Sequence, residues 1–319
     1  MFAMNFDITV GDYRLTMVDS VVVKRSVANL ADTAFVKLPG TAYNQALEIE
    51  RMIGPGDPVR IRLGYDADTE KLPVEFEGYV DRIGMEEGSL CIDCEDGMRL
   101  FRRELEPAAF AGVTVGELLR HVVGQVGDFK VDCDFDFRYD RFSIYATTGF
   151  EVLKKVQEET RASIGLCGDT LHVHPQYGRV GRKVAYDLAV NVEKSELEYR
   201  DTSGRKLLVE VTGTDPQGRK VRVSRGVAGG DKTTVELPGV SDAASLTLRA
   251  EEELKIRSGE GAEGSLTGWL VPEVAPADIV DLRDADYACK NGCYYVTAVE
   301  TTFSSAGGSR KITLGKKME

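Results

Sequence analysis

A chain of 319 residues is long for one hydrophobic core and predicts two or three domains. Its 42% apolar and 29% charged residues give a soluble, globular balance, and apolar runs such as Val21 to Val23 are far too short to cross a bilayer. The formal net charge of −12, with Lys and Arg scattered, argues against a surface built to hold phosphate backbones. The short basic groups Lys24-Arg25, Arg102-Arg103 and Arg310 to Lys317 read as solvated surface charge. Met1 to Val10 lacks a basic segment followed by an apolar one, so no secretion signal is expected, and synthesis and folding in a cytoplasm are.

Residues 1 to about 100 read as successive strands. Asn5 to Val10 and Tyr13 to Val18 flank Gly11-Asp12, a dipeptide suited to a hairpin turn. Ser20 to Arg25 and Thr33 to Leu38 follow. Val59, Ile61, Leu63 and Tyr65 then alternate with polar or small residues, as do Val74, Phe76, Gly78 and Val80, which predicts two half-buried strands. Many short strands in series predict a small antiparallel barrel over 1–103.

The period changes after Pro107. Thr114 and Glu117 form a capping-box pair ahead of Val115, Leu118, Leu119, Val122, Val123 and Val126, one face of a helix. Thr148 and Glu151, read as a second capping-box pair, open a second helix, with Phe150, Leu153 and Val156 expected inward and an end near Gly165. A hairpin follows: Ile164 to Cys167, the turn Gly168-Asp169, then Thr170 to His174. Residues 104–190 thus read as an α/β module.

Strands return from Glu193, with Arg205 to Gly213 and Arg219 to Arg225 joined by the turn Asp215-Pro216-Gln217-Gly218. A third helix is predicted after Ser241, with Ala243, Leu246, Ala250 and Leu254 inward and a stop at Ser258-Gly259. Strands at Gly264 to Val271, Ile279 to Arg283, Cys293 to Phe303 and Arg310 to Gly315 complete a second barrel-like region over 191–319. The expected fold class is therefore α+β, mainly β, with two antiparallel barrel-like domains and an α/β module between them.

Chemistry is sparse. Cys91 and Cys94, with Cys289 and Cys293, offer four thiolates for a zinc ion. But Ser89 to Glu95 reads as a strand, where residues three apart point to opposite faces, and buried free thiols are the favoured reading. Of three histidines, His121 lies beside the first helix's apolar stripe, while His172 and His174 share one face of a strand. No carboxylate or third histidine accompanies that pair at a recognisable spacing, so no metal site is assigned. Nucleophile elbows, Walker loops and dinucleotide fingerprints are missing, and Gly226 to Gly230 lacks the Lys and helix a phosphate loop needs. Among 52 acidic residues some carboxylates will adjoin by chance, so a glycan-cleaving pair is set aside for solvated faces. Trp269, the single tryptophan, is expected in a core. No catalytic, cofactor-binding or metal-binding residue is expected, nor a stable membrane or small-molecule partner.

Four stretches in this order resemble one family: Gly56-Asp57-Pro58-Val59 through Gly78-Tyr79-Val80-Asp81, then Thr114 to Val123 with its T-x-x-E-L-L pattern, then Gly149-Phe150-Glu151-Val152-Leu153 through Gly168-Asp169-Thr170-Leu171-His172-Val173, and last Asn291-Gly292-Cys293-Tyr294-Tyr295-Val296 through Gly307-Gly308 to Leu314. Together they are similar to the tail-hub, or late control D, proteins of contractile phages, and to the hub part of VgrG spikes. That resemblance implies a non-enzymatic homotrimeric ring in the tail baseplate of the virion, assembled in the bacterial host cytoplasm. The ring would adapt a hexameric tail tube to a trimeric central spike, touch other baseplate proteins and let DNA pass as cargo. The hub of a type VI or other contractile injection system is the neighbouring alternative. A cell-wall glycan-binding or hydrolysing tail protein is the alternative from another class.

Overall fold

The computed structural model describes residues 4–39, 51–200, 205–258 and 261–318, without the side chains of 199, 200, 261–263 and 289. Its strands begin with β1 (Asn5–Val10), β2 (Tyr13–Leu15), β3 (Ser20–Ser26), β4 (Thr33–Leu38), β5 (Pro58–Gly64), β6 (Val74–Glu86) and β7 (Ser89–Glu95). There follow β8 (Ala108–Thr114), α1 (Val115–Val126), β9 (Lys130–Cys133), β10 (Arg138–Ile144), α2 (Gly149–Thr160), β11 (Ser163–Cys167) and β12 (Thr170–His174). Then come β13 (Lys183–Asp187), β14 (Lys194–Arg200), β15 (Leu207–Thr214), β16 (Lys220–Gly226), β17 (Asp231–Pro238) and α3 (Ala243–Arg257). The last are β18 (Gly261–Gly268), β19 (Ile279–Arg283), β20 (Gly292–Ser304) and β21 (Gly307–Met318). Among the described residues no helix is long and apolar enough to cross a membrane.

Two compact units interleave along the chain. One comprises Met1–Arg99, Val180–Tyr199 and Ala262–Glu319; the other comprises Leu100–Arg179 and Arg200–Gly261. The first unit is a 13-stranded sheet whose main path runs β14-β18-β21-β20-β3-β4-β7-β6-β5-β1-β2, with β19 and β13 branching from β20. The fold is mainly β, as expected, and its two barrel-like halves are open and continuous. They join where β20 pairs antiparallel with β3, from Ala298 opposite Ser26 to Ser304 opposite Ser20. Each half keeps its own core. Ile8, Val21, Val36, Ile61, Leu90 and Ile92 centre one, and Tyr186, Leu266, Val280, Val296 and Ile312 centre the other.

Phe76 and Val80 of β6 are buried as expected, but one irregularity reverses the burial at the start of the strand. Against β5, Ile61 pairs with Phe76 but Arg62 pairs with Val74, so Glu75 is the extra residue of a bulge. The bulge turns Val74 outward and buries Glu75. Glu75 forms an ion pair with Arg310 of β21, which is 0% exposed although it begins a run read as surface charge. Arg310 also donates to the carbonyls of Leu270 at 2.6 Å and Pro272 at 3.1 Å. The Thr301 hydroxyl donates to Glu75 at 3.1 Å, and Arg25 lies 3.5 Å from the same carboxylate. Two of the three basic groups read as solvated therefore each give one arginine to this network, because a charge left unpaired there would be far costlier than a paired one.

The second unit holds three smaller sheets: β10-β8, β11-β12-β9 and β16-β15-β17. The α1 cap forms as expected, with Glu117 N–H donating to the Thr114 hydroxyl and Glu117 accepting from Thr114 N–H. Its buried face is Val115, Leu118, Leu119, Val122 and Val123. In α2 the Thr148 hydroxyl accepts from Glu151 N–H, and Val152, Leu153 and Val156 are buried. Phe150 is only half-buried, with the Arg102 guanidinium 4.1 Å over its ring. The helix stops at Thr160, short of Gly165, because Arg161 turns left-handed at φ 62° and donates its N–H back to Gln157.

Helix α3 departs most from its apolar pattern. Leu246 and Ala250 are buried, but Ala243 is exposed and Leu254 half-buried, while Arg249, Glu252 and Glu253 are buried. Arg249 donates to Glu253 at 2.8 Å and to the Glu159 carbonyl at 2.8 Å. Arg257 and Arg161 also donate to Glu253, at 2.7 and 3.2 Å. Glu252 accepts from Gln176 N–H at 2.6 Å and from Lys255 at 2.5 Å. The helix packs closely on β15 because Gly213 has no Cβ: one there would meet the Val240 carbonyl at 2.1 Å and Leu246 at 2.9 Å.

Candidate functional site

Strand β12 alternates cleanly. Leu171 and Val173 are fully buried, which sends His172 and His174 to the opposite face. Strand β9 lies parallel to it, with Asp132 opposite His172 and Cys133 opposite Val173, and the chain runs on so that Asp134 N–H donates to the Val173 carbonyl. Parallel register thus delivers carboxylates from forty positions upstream, a relation that spacing along the chain does not reveal.

The resulting geometry is specific. His172 Nδ1 lies 2.9 Å from Asp132 Oδ2, and His174 Nδ1 lies 2.7 Å from Asp134 Oδ1. His174 Nε2 is 3.7 Å from the same Asp132 oxygen. The imidazole rings stack with centroids 5.6 Å apart and planes at 28°. Their side chains are 19% and 14% exposed, against 56% and 59% for Asp132 and Asp134, so the carboxylates are the wetted members. On the far side of β12, Gly165 pairs with His172 and has open space where a Cβ would sit.

The other residues of chemical interest stand apart. His121 is an exposed helix residue whose Nε2 accepts from Gln125, and its ring packs edge-on against Phe110 at 5.0 Å. Cys91 and Cys94 are free, buried thiols, as favoured; burial pushes Cys94 up to about 12 and also raises Cys91, beside Glu86. Cys293 is half-buried and free, whereas the Cys289 side chain lies outside the described residues. Trp269 is 47% exposed and not in a core, because alternation buries Leu266, Gly268 and Leu270 and turns the residue between the last two outward.

One carboxylate pair is half-buried rather than fully solvated. Burial raises Asp32 to about 6 and Asp96 to about 7, each against backbone hydrogen bonds that pull it down. Asp32 accepts from Ser26 N–H at 3.1 Å, and Asp96 accepts from Asp32 N–H at 3.2 Å and Met98 N–H at 3.0 Å. These oxygens are committed to holding the β3–β4 connection against the end of β7, which is structural work.

No family model matches the chain, and no curated protein matches it in sequence. Solved structures do. The tail protein of Neisseria meningitidis superposes with a TM-score of 0.70 at 14% identity, over 99% of this chain and 97% of its own. The 43 kDa tail protein of prophage MuSo2 from Shewanella oneidensis gives 0.65 at 15% identity, over 98% and 97%. The E. coli c3393 protein, a type VI secretion component described as similar to the phage T4 tail proteins gp27 and gp5, gives 0.57 at 12% identity, over 99% and 77%. At such identities the likeness speaks for architecture, and the architecture of this chain is that of phage tail proteins and their type VI secretion counterparts, the one implied by its resemblance to the tail-hub family.

Proposed function

We propose that the chain is a structural hub protein of a contractile phage or prophage tail. The observation that carries this reading is the superposition with a tail protein over nearly the full length of both chains. In this reading three copies close a ring, and the two barrel-like halves of each supply six similar elements around the axis. Such a ring meets a hexameric tube on one side and a trimeric spike on the other. Sheet edges at β2 and β14 suit contacts between neighbouring copies, since an uncovered strand is a ready template for pairing. The net charge of −12 suits a bore that passes DNA without trapping phosphates. The ring belongs to the virion baseplate, assembles in the host cytoplasm beside other baseplate proteins, and breaks no bonds.

Light scattering on the purified chain tests the ring: a mass of three chains is expected, and a stable monomer at every concentration overturns it. Zymography on peptidoglycan should show no clearing band; a band would favour the wall-hydrolysing alternative. A hub in a type VI machine is the second reading, favoured by the likeness to the E. coli protein. The genes adjoining this one separate the two, because tail-sheath and capsid genes together belong to a phage.

A further inference from the structure

We infer that Asp132, His172 and His174 bind a single divalent transition-metal ion of the zinc class. One ring nitrogen of each histidine and one carboxylate oxygen of Asp132 lie within 4.8 Å of one another. A tetrahedral zinc at about 2.0–2.2 Å from nitrogen and oxygen ligands sets those ligands roughly 3.3–3.6 Å apart. The separations of 2.9 Å from Asp132 to His172 Nδ1 and 3.7 Å to His174 Nε2 bracket that range. An ion would therefore enter with small shifts, taken up by the exposed carboxylate, and would replace the hydrogen bond between Asp132 and His172.

The surroundings distinguish this cluster from an ordinary pair of surface His–Asp contacts. Asp134 occupies His174 Nδ1, which leaves Nε2 as the free lone pair and turns it toward Asp132. A carboxylate behind a ligating imidazole fixes its tautomer and strengthens it as a donor. The backbone beneath is firm, because Leu171 and Val173 anchor the strand from its buried side. Asp132, 56% exposed, leaves the cluster open to solvent and ion. Two imidazoles and one carboxylate select zinc-like ions over magnesium and calcium, which take oxygen donors. The fourth position is left for water or a group from a neighbouring molecule. The bound ion ties β9 to β12, so its role is to brace this sheet.

Calorimetric titration of untagged, chelator-treated protein with zinc chloride tests the site. One ion per chain with micromolar or tighter affinity is expected, and no heat is expected with magnesium chloride. The double variant His172→Gln/His174→Gln should lose at least a hundredfold in affinity, and Asp134→Asn about ten- to a hundredfold. No binding by the parent protein, or equal binding by the double variant, overturns the proposal. Should the double variant fail to fold, cobalt replaces zinc in the parent protein: tetrahedral visible bands without thiolate charge transfer support the site, and a thiolate band assigns the ion to cysteines instead and overturns it.

Discussion

Each unit buries an arginine, and the two are held in different ways. Arg310 reaches a carboxylate 235 positions away, on the bulge of β6, and also donates to the Leu270 and Pro272 carbonyls and the Thr301 hydroxyl. Arg249 reaches Glu253 one helical turn along, and that carboxylate is shared with Arg161 and Arg257, both half-exposed. The first arrangement has little redundancy, since Glu75 and Arg310 are both sealed from water. The second has spare cations that can rearrange or hydrate. Burial alone therefore does not decide how much a charge matters; the wetness of its partners does.

The largest effect tests the sealed pair. Glu75→Gln leaves Arg310 without its counter-charge and should cost about 3–5 kcal/mol in urea unfolding. Adding Arg310→Met should recover part of that loss, and an equal or greater loss in the double variant would break the comparison. Glu253→Gln should cost less, about 1–3 kcal/mol, because two of its three cations already reach solvent. If it equals Glu75→Gln, redundancy has no value here.

The pH profile sharpens the contrast further. Against the cost of its own burial, hydrogen bonds from Arg257 and Arg249 bring Glu253 down to about 2. Its stabilisation is present above the unfolded glutamate value near ~4.3 and is lost as pH falls toward 2. Asp32 and Asp96 carry the opposite sign. Raised to about 6 and about 7 by burial, they stabilise fully below the unfolded aspartate value near ~3.9 and lose that contribution as pH climbs through 6 and 7. Thermal melts from pH 7 to 5 should show rising stability that flattens in Asp32→Asn/Asp96→Asn, while the fall below pH 4 should shrink in Glu253→Gln.

The smallest effects concern helix caps. Thr114→Ala breaks a reciprocal pair with Glu117 and should cost about 1–2 kcal/mol, whereas Thr148→Ala removes one hydrogen bond and should cost about 1 kcal/mol or less. Urea midpoints of the two variants give the order.

Local signals were well written in the chain. The Thr114–Glu117 box, the Gly168-Asp169 hairpin and the period-two burial of β5 follow from neighbouring residues and formed as read. What was illegible depends on partners distant in sequence. Nothing near Glu75 announces the bulge that buries it, and Arg249, Glu252 and Glu253 look like a solvated face until their partners are placed. Strand β17 is polar at Asp231, Lys232, Thr233 and Thr234 and carries no strand signal there, yet it pairs in parallel with β15. The histidine site was half visible: His172 and His174 share a face by alternation alone, but Asp132 and Asp134 arrive through parallel register. The division at 103 and 190 follows the order of the chain, whereas the compact units are assembled from segments that alternate along it.

The β3–β20 pairing sets a schedule for the newborn polypeptide. Val23 must wait for Thr301, so at a ribosomal pace of about 5–20 residues per second the flank of β3 stands open for tens of seconds. During that interval β3, already paired with β4 on one side, presents its other, unpaired edge to every other nascent copy nearby. Crowded synthesis should therefore favour chain-to-chain strand exchange at this border, and a host chaperone that shields extended segments should raise the yield of correctly closed molecules.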